Sequence, residues 1–162
     1  MIAAIALGSN LPSAWGDPAG AVVEAVRRLG ALGTVTAVST LRLTAPVGVL
    51  RQPDFVNGAA LLDTHLSPLD LLHALLAIER AMGRLREGVA KGPRVIDLDL
   101  LLYDGNVLST IELSLPHPAM HTRSFVLEPL SEIAPSLPHP VFNKSVQALF
   151  QELQARESPR RG

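Results

Sequence analysis

Apolar residues recur along this chain with two different periods, and each period predicts an element. The run from Ile2 to Leu7 is apolar throughout and is closed by Gly8-Ser9-Asn10. A short apolar run ended by turn formers reads as a buried strand. Val22, Val23, Val26 and Leu29 fall at helical spacing, with Arg27 and Arg28 on the other side. They predict a helix from near Asp17 to near Leu32, ended by Gly30 and Gly33. Thr34 to Leu43, rich in Thr and Val, predicts a second strand. Pro46, Gly48 and Pro53 make Thr44 to Asp54 a long loop, and Phe55 to Thr64 reads as a third strand. Ser67-Pro68-Leu69-Asp70 combines a capping hydroxyl, a proline at the first helical position and an acid in the first turn. The helix it starts continues through Leu71, Leu72, Leu75 and Ile78 to about Met82, where Gly83 follows. Arg84 to Pro93 is a charged loop, Val95 to Tyr103 a fourth strand, and Asp104-Gly105-Asn106 a hairpin turn into a short strand. Prolines break the stretch from Pro116 to Pro140 around a short helix, Ser124 to Ile133, and an amphipathic helix closes the chain from about Ser145 to Gln154.

The order strand, helix, strand, strand, helix, strand is that of the ferredoxin-like βαββαβ motif. It predicts an α+β fold: an antiparallel sheet with both helices on one face, plus C-terminal helical additions. The chain of 162 residues suits one domain, here residues 1–156, with 157–162 as a polar, frayed tail. Hydrophobic residues make up 48% and charged residues 18%, which excludes intrinsic disorder. A chain this long buries roughly 70% of its unfolded surface. A net charge of −1 gives no global field for nucleic acid or an anionic membrane. The cysteine count of zero excludes a disulfide framework, a thiol nucleophile and a thiolate zinc site, and fits a reducing cytoplasm. No apolar run reaches the 18 or so residues that span a bilayer. The apolar N-terminus lacks the basic lead of a signal peptide.

Aspartate is disfavoured inside strands, yet Asp97 and Asp99 both lie in the fourth one. Alternation puts them on one face, with Ile96, Leu98 and Leu100 on the other. Their Cα atoms would be roughly 7 Å apart. Such a pair can hold one hard cation or two through oxygen. The alternatives are a solvated strand face, or pairing of one aspartate with Arg94. Arg84, Arg86, Lys91, Arg94 and Arg123 surround the strand in sequence. Carboxylates, Mg²⁺ and arginines together are what phosphoryl chemistry requires; alternatively, Arg84 and Arg86 cap a helix C-terminus. There is no Gly-x-x-x-x-Gly-Lys-Ser/Thr loop. Asn57 offers donor and acceptor to the edge of a flat heterocycle, and Phe55 and Phe125 offer stacking faces, unless both rings are ordinary core. His117 and His121 stand four apart, but flanking prolines disfavour a helix and no third zinc ligand is evident. A hydrogen-bonding His117 in a nucleotide site is the better reading. His65, His73 and His139 read as surface or capping residues.

Taken in order, these segments resemble one family, the 6-hydroxymethyl-7,8-dihydropterin pyrophosphokinases of folate biosynthesis. The resemblance rests on Ala6-Leu7-Gly8-Ser9-Asn10-Leu11, on Thr44-Ala45-Pro46-Val47-Gly48 with Gln52-Pro53-Asp54-Phe55-Val56-Asn57, on Gly92-Pro93-Arg94-Val95-Ile96-Asp97-Leu98-Asp99, and on Leu115-Pro116-His117-Pro118 with Met120, Arg123 and Phe125. It implies transfer of the pyrophosphoryl group of ATP to the hydroxymethyl oxygen of the pterin, leaving AMP. It implies that Asp97 and Asp99 hold two Mg²⁺ ions, and that Arg84 and Arg94 join them in catalysis. Thr44, Pro46, Val47, Phe55, Asn57 and Phe125 would form the pterin pocket. Leu72, Glu79, Arg84, Arg86, Arg94, Leu100, His117 and Arg123 would lie on the ATP side. The chain departs from the family pattern at Ala90 and Lys91, where a basic residue and then an aromatic are common, and at Glu112 and Pro118. The loop from Arg84 to Gly92 is the candidate lid, with Gly88 and Gly92 as flexible points. The partners expected are the two small-molecule substrates alone, and the enzyme is expected to be a cytoplasmic monomer. Two other readings compete: a non-catalytic ferredoxin-like ligand-binding module, and a different Mg-dependent phosphoryl-transfer enzyme.

Overall fold

In the computed structural model, which describes residues 1–44, 54–83 and 94–157, the N-terminal strand is the centre of the sheet. β1 (Ile2–Ser9) pairs antiparallel with β4 (Phe55–Asp63) on one side and with β5 (Asp97–Tyr103) on the other. β2 (Thr34–Val38) and β3 (Arg42–Thr44) both pair with the far edge of β4. The resulting order, β2-β4-β1-β5 with every pairing antiparallel, is the ferredoxin-like one.

The stretch expected to form one strand from Thr34 to Leu43 is broken in two. Ser39 sits at the break, where its N–H donates to the Ala59 carbonyl at 2.9 Å and its Oγ accepts from the Ala59 N–H at 2.9 Å. A serine hydroxyl thus replaces a backbone acceptor, and the chain turns without losing the ladder bond. Other boundaries move by a few residues: α1 (Pro18–Leu29) ends at Gly30, α2 spans Pro68–Ala81, and β5 begins at Asp97. Asp17 and Ser67 cap the two helices, accepting from the Gly20 and Asp70 N–H groups.

α1 and α2 cover one face of the sheet, as expected. Ala3, Ile5 and Leu7 of β1 join Leu62, Leu98 and Leu100 and the helix residues Val22, Leu29, Leu71 and Leu75 in a buried cluster. The C-terminal region does more than extend this core. After the short β6 (Leu108–Ser109) and β7 (Ser114–Leu115), a 3₁₀ turn (Met120–Thr122) leads into α3 (Ser124–Ile133). A two-strand ribbon, β8 (Pro138–His139) with β9 (Lys144–Ser145), then leads into α4 (Val146–Glu157). α3 and α4 bury a second cluster against the opposite face, where Ala4, Ala59, Leu101 and Leu102 meet Met120, Leu127, Leu130 and Leu149. Glu157 closes α4; the rest of the expected tail lies outside the described residues. No described helix is long and apolar enough to cross a membrane.

One irregularity lets β5 serve both cores. Leu100 pairs with Ile5 but Leu102 pairs with Ala4, so Leu101 is an extra residue, a β-bulge. Before the bulge, Asp97 and Asp99 point to the α3 face and Leu98 and Leu100 to the α2 face. After it the parity reverses: Leu102 joins the second core, and Tyr103 joins the first with its hydroxyl donating to the Leu66 carbonyl.

Leu127 is fully buried in the second cluster. Leu127→Ala should cost about 2–5 kcal/mol by opening a cavity between sheet and helices. Urea unfolding with the circular dichroism of the whole chain as readout checks this; a cost below about 1 kcal/mol, the scale of a surface change, would show that the second layer is not a core.

Candidate active site

Strand register brings the sequence-predicted residues together at the open end of the sheet. Gly8 lies across from Asn57 on one side and Asp97 on the other; one step further in, Ala6 lies between Ala59 and Asp99. The central strand therefore contributes a hydrogen atom and a methyl group between a polar amide and two carboxylates. A Cβ at Gly8 would stand 3.1 Å from Asn57 Oδ1, 3.8 Å from Phe55 Cδ1 and 3.9 Å from Asp97 Cβ. Only a residue without a side chain leaves that floor open. Asn57 is buried and its Nδ2 donates to Thr44 Oγ1, so the amide oxygen is the end held over Gly8. Phe55 opens β4, half-buried beside the same floor. Phe125, in the first turn of α3, packs against the second core and carries the Arg123 guanidinium 5.7 Å from its ring centre. Phe125 is thus partly core, whereas Phe55 belongs to neither core cluster; both rings are only half-buried.

The carboxylates are held from below. Asn10 Oδ1 accepts from the Arg94 N–H at 2.7 Å, and the Asn10 N–H donates to the Arg94 carbonyl at 2.9 Å. This two-point bracket ties the end of β1 to the chain entering β5. Arg94 Nη1 then lies 3.2 Å from Asp97 Oδ1. Glu79, only 1% exposed on α2, accepts from the Leu98 N–H at 2.7 Å. That amide belongs to the residue between the two aspartates, so a buried carboxylate anchors the edge strand where it carries them. No three His, Cys, Asp or Glu side chains gather around one point among the described residues. Two aspartates alone suit a cation such as Mg²⁺, which keeps waters and takes substrate phosphates as its remaining ligands.

Beside Asp99 a cleft of about 300 Å³ opens between α2 and the segment from Ile111 to Pro118. Its walls include Leu72, Glu79, Leu100 and His117, four of the residues expected on the ATP side, and also Leu76, Leu98, Leu113 and Ser114. Glu112 and Pro118, the positions that depart from the family pattern, line it as well. His117 Nδ1 accepts from the Ala119 N–H at 3.2 Å, while the His117 backbone N–H donates to the Leu101 carbonyl at 2.9 Å. Burial pushes the imidazole below its ordinary titration range; the Arg123 charge adds to this and Asp97 opposes it. Arg94 and Arg123 stand outside the cleft lining, on Asp97 and Phe125. Pro46, Val47, Arg84 and Arg86, together with Ala90, Lys91 and the candidate lid, lie outside the described residues.

Three features escaped the sequence reading. Asn10 acts through its side chain, whereas its position suggested only a turn. Gly8 is a floor rather than a strand end. His139, expected at the surface or in a cap, does cap the Val141 and Phe142 N–H groups but is only 2% exposed and stacked on Phe142. A hydrophobic pattern does not reveal this burial, because it comes from the tight β8–β9 ribbon folding Phe142 back onto the ring.

A family model described as 7,8-dihydro-6-hydroxymethylpterin-pyrophosphokinase matches residues 4–135. A Pseudomonas aeruginosa protein named 2-amino-4-hydroxy-6-hydroxymethyldihydropteridine pyrophosphokinase is 47% identical over 133 residues, which is 82% of this chain and 80% of that protein. A Bacillus subtilis protein of the same name is 46% identical over 134 residues, 82% of this chain and 77% of its own. The folic acid synthesis protein fol1 of Schizosaccharomyces pombe is 36% identical over 157 residues, yet this chain spans only 21% of it. Among solved structures, Plasmodium falciparum HPPK-DHPS with pteroate superposes with a TM-score of 0.74 over 96% of this chain and 42% of that one. At 17% identity this likeness speaks for the fold.

The lowered affinity of His117 for a proton has a consequence for the free protein. A histidine whose folded value lies below the unfolded 6.5 favours folding fully above pH 6.5, and that contribution is lost as pH falls through the folded value. Stability should therefore fall on acidification from pH 7 to 5, and less steeply in His117→Gln. Proton NMR of the ring should place its midpoint below 6.5; a midpoint above it would contradict the burial.

Proposed function

The chain belongs to the 7,8-dihydro-6-hydroxymethylpterin-pyrophosphokinase family, and from that premise we propose how its site performs the family's reaction. The enzyme transfers the pyrophosphoryl group of ATP to the hydroxymethyl oxygen of 6-hydroxymethyl-7,8-dihydropterin, a step of folate biosynthesis. The acceptor oxygen forms a bond to the β-phosphorus, the bond from that phosphorus to the α-phosphate's bridging oxygen breaks, and AMP leaves. The hydroxyl proton is released.

The observation that carries the assignment of roles is the row Asn57–Gly8–Asp97. A ring whose edge is read by Asn57 and whose body lies on Gly8 has its substituent beside Asp97 and Asp99. The acceptor and the phosphates are thus brought to adjacent strands, and catalysis is chiefly a matter of placement and charge. Phe55 and Phe125 would enclose the ring, with Thr44, Pro46 and Val47 completing its pocket. The cleft between Leu72, Leu100 and His117 would take the nucleotide, its apolar walls against the base. Asp97 and Asp99 would hold Mg²⁺, two ions in this reading, which neutralises phosphate charge and makes the acceptor hydroxyl easier to deprotonate. Arg94, and with it Arg84, Arg86 and Arg123, would absorb charge developing on the transferred group. Glu79 would keep the edge strand in register beneath the nucleotide. In this reading residues 1–156 act as one unit, a cytoplasmic monomer, as the family resemblance implies.

Purified protein supplied with ATP, Mg²⁺ and the dihydropterin should release AMP, and only when the pterin is present. ADP or phosphate formed regardless of pterin would point to a different phosphoryl-transfer enzyme. Asp97→Ala should lower kcat at least about a hundredfold, the scale on which electrostatic stabilisers act, while still binding pterin. Undiminished turnover would remove Asp97 from the site.

A further inference from the structure

Glu132 lies near the C-terminal end of α3, away from the open end of the sheet, and takes more polar contacts than a surface glutamate ordinarily holds. Its Oε2 accepts from the Thr40 N–H at 2.8 Å, and its Oε1 accepts from the Thr40 hydroxyl at 2.7 Å and from Arg42 Nη2 at 2.6 Å. These bonds hold its carboxyl below the usual carboxylate range. Arg42 Nε also lies 3.2 Å from Glu128 on the same helix. Thr40 belongs to the break between β2 and β3, and Arg42 is the first residue of β3. A three-residue strand that pairs, among the described residues, with β4 alone has little of its own to hold it. The carboxylate supplies that hold by clamping both a backbone N–H and a guanidinium.

What the clamp positions is the recognition amide. Within β3, Arg42 pairs with Asn57 and Thr44 with Phe55. Thr44 Oγ1 receives the Asn57 amide hydrogen, which leaves the amide oxygen over Gly8. An amide has one donating and one accepting end. If Thr44 moves away, no other hydrogen bond among the described residues decides which end faces the floor. Phe125, Glu128 and Glu132 stand at i, i+3 and i+7, so one face of α3 carries the ring and both carboxylates of the clamp.

Resting on the reading above, we propose that Glu132 is a positioning residue for pterin recognition: by fastening β3 to α3 it fixes Thr44 and hence the sense of the Asn57 amide. An ordinary surface ion pair would contribute only a little to stability and nothing to one substrate in particular. The effect proposed is selective.

Equilibrium binding of 6-hydroxymethyl-7,8-dihydropterin, followed by its fluorescence, tests this in Glu132→Ala and Glu132→Gln beside the unaltered protein, with KM for each substrate. In Glu132→Ala the pterin Kd and KM should rise about five- to tenfold, the effect of losing about one hydrogen bond. KM for ATP and kcat should stay within about twofold of the unaltered protein, since the clamp touches neither. Glu132→Gln, whose amide oxygen can still accept from Thr40, should fall between the two and carries the test if the alanine variant does not fold. Thr44→Val should weaken pterin binding, and adding Glu132→Ala to it should change little further, because both act through one amide. An unchanged pterin Kd, equal increases for both substrates, or additive losses in the double variant would overturn the proposal. Absence of pterin binding by the unaltered protein would instead overturn the functional reading, and the proposal with it.

Discussion

Because β1 is hydrogen-bonded on both of its edges, its register sets that of β4 and β5 together. A slip of one residue on either side would turn every side chain of that strand to the other face. Asn57 would leave the floor, or the aspartates would be driven into the Leu71–Leu75 core. The apolar pattern resists such a slip from both faces at once, since Ile5 and Leu7 are buried under α1 and α2 while Ala4 is buried under α3 and α4. The geometry of the site is therefore held by the two cores more than by contacts among its own polar groups.

The polar groups set the finer placement. Asn10 and Glu79 each use a side-chain oxygen to accept from a backbone N–H of the segment that carries the aspartates. Neither touches Asp97 or Asp99 through these bonds. Glu132 does the same for the opposite wall through Thr40. In all three places a side-chain oxygen holds a backbone N–H, which suits a reaction that depends on holding two substrates against each other.

Much of this was legible in the residues. Periodicity located the main strands and helices, and the start and end of α3 were read as observed. The alternation that puts Asp97 and Asp99 on one face follows from strand geometry alone. The break at Ser39 was hidden because a hydroxyl took over a ladder bond, leaving the Thr- and Val-rich pattern intact. The second core was hidden for a different reason: Ala4, Ala59 and Leu101 look like any buried strand residues, and nothing local says that α3 and α4 come back to cover them. Gly8 read as punctuation because its role depends on neighbours some fifty and ninety residues away, Asn57 and Asp97. That Leu72, Leu100 and His117 line one cleft was expected only through family resemblance, since they share no local pattern.

The bulge at Leu101 divides β5 into two segments that answer to different physical demands. Upstream of it, one face must stay acidic; downstream, both faces must stay apolar. An unbroken alternation would carry the acidic column straight on past Leu101 and leave Tyr103 beneath α3 and α4. Because the extra residue absorbs the change of phase, substitutions that repack the distal half are decoupled from the spacing of the carboxylates. The interior of the fold can therefore be repacked while the acidic pair keeps its spacing.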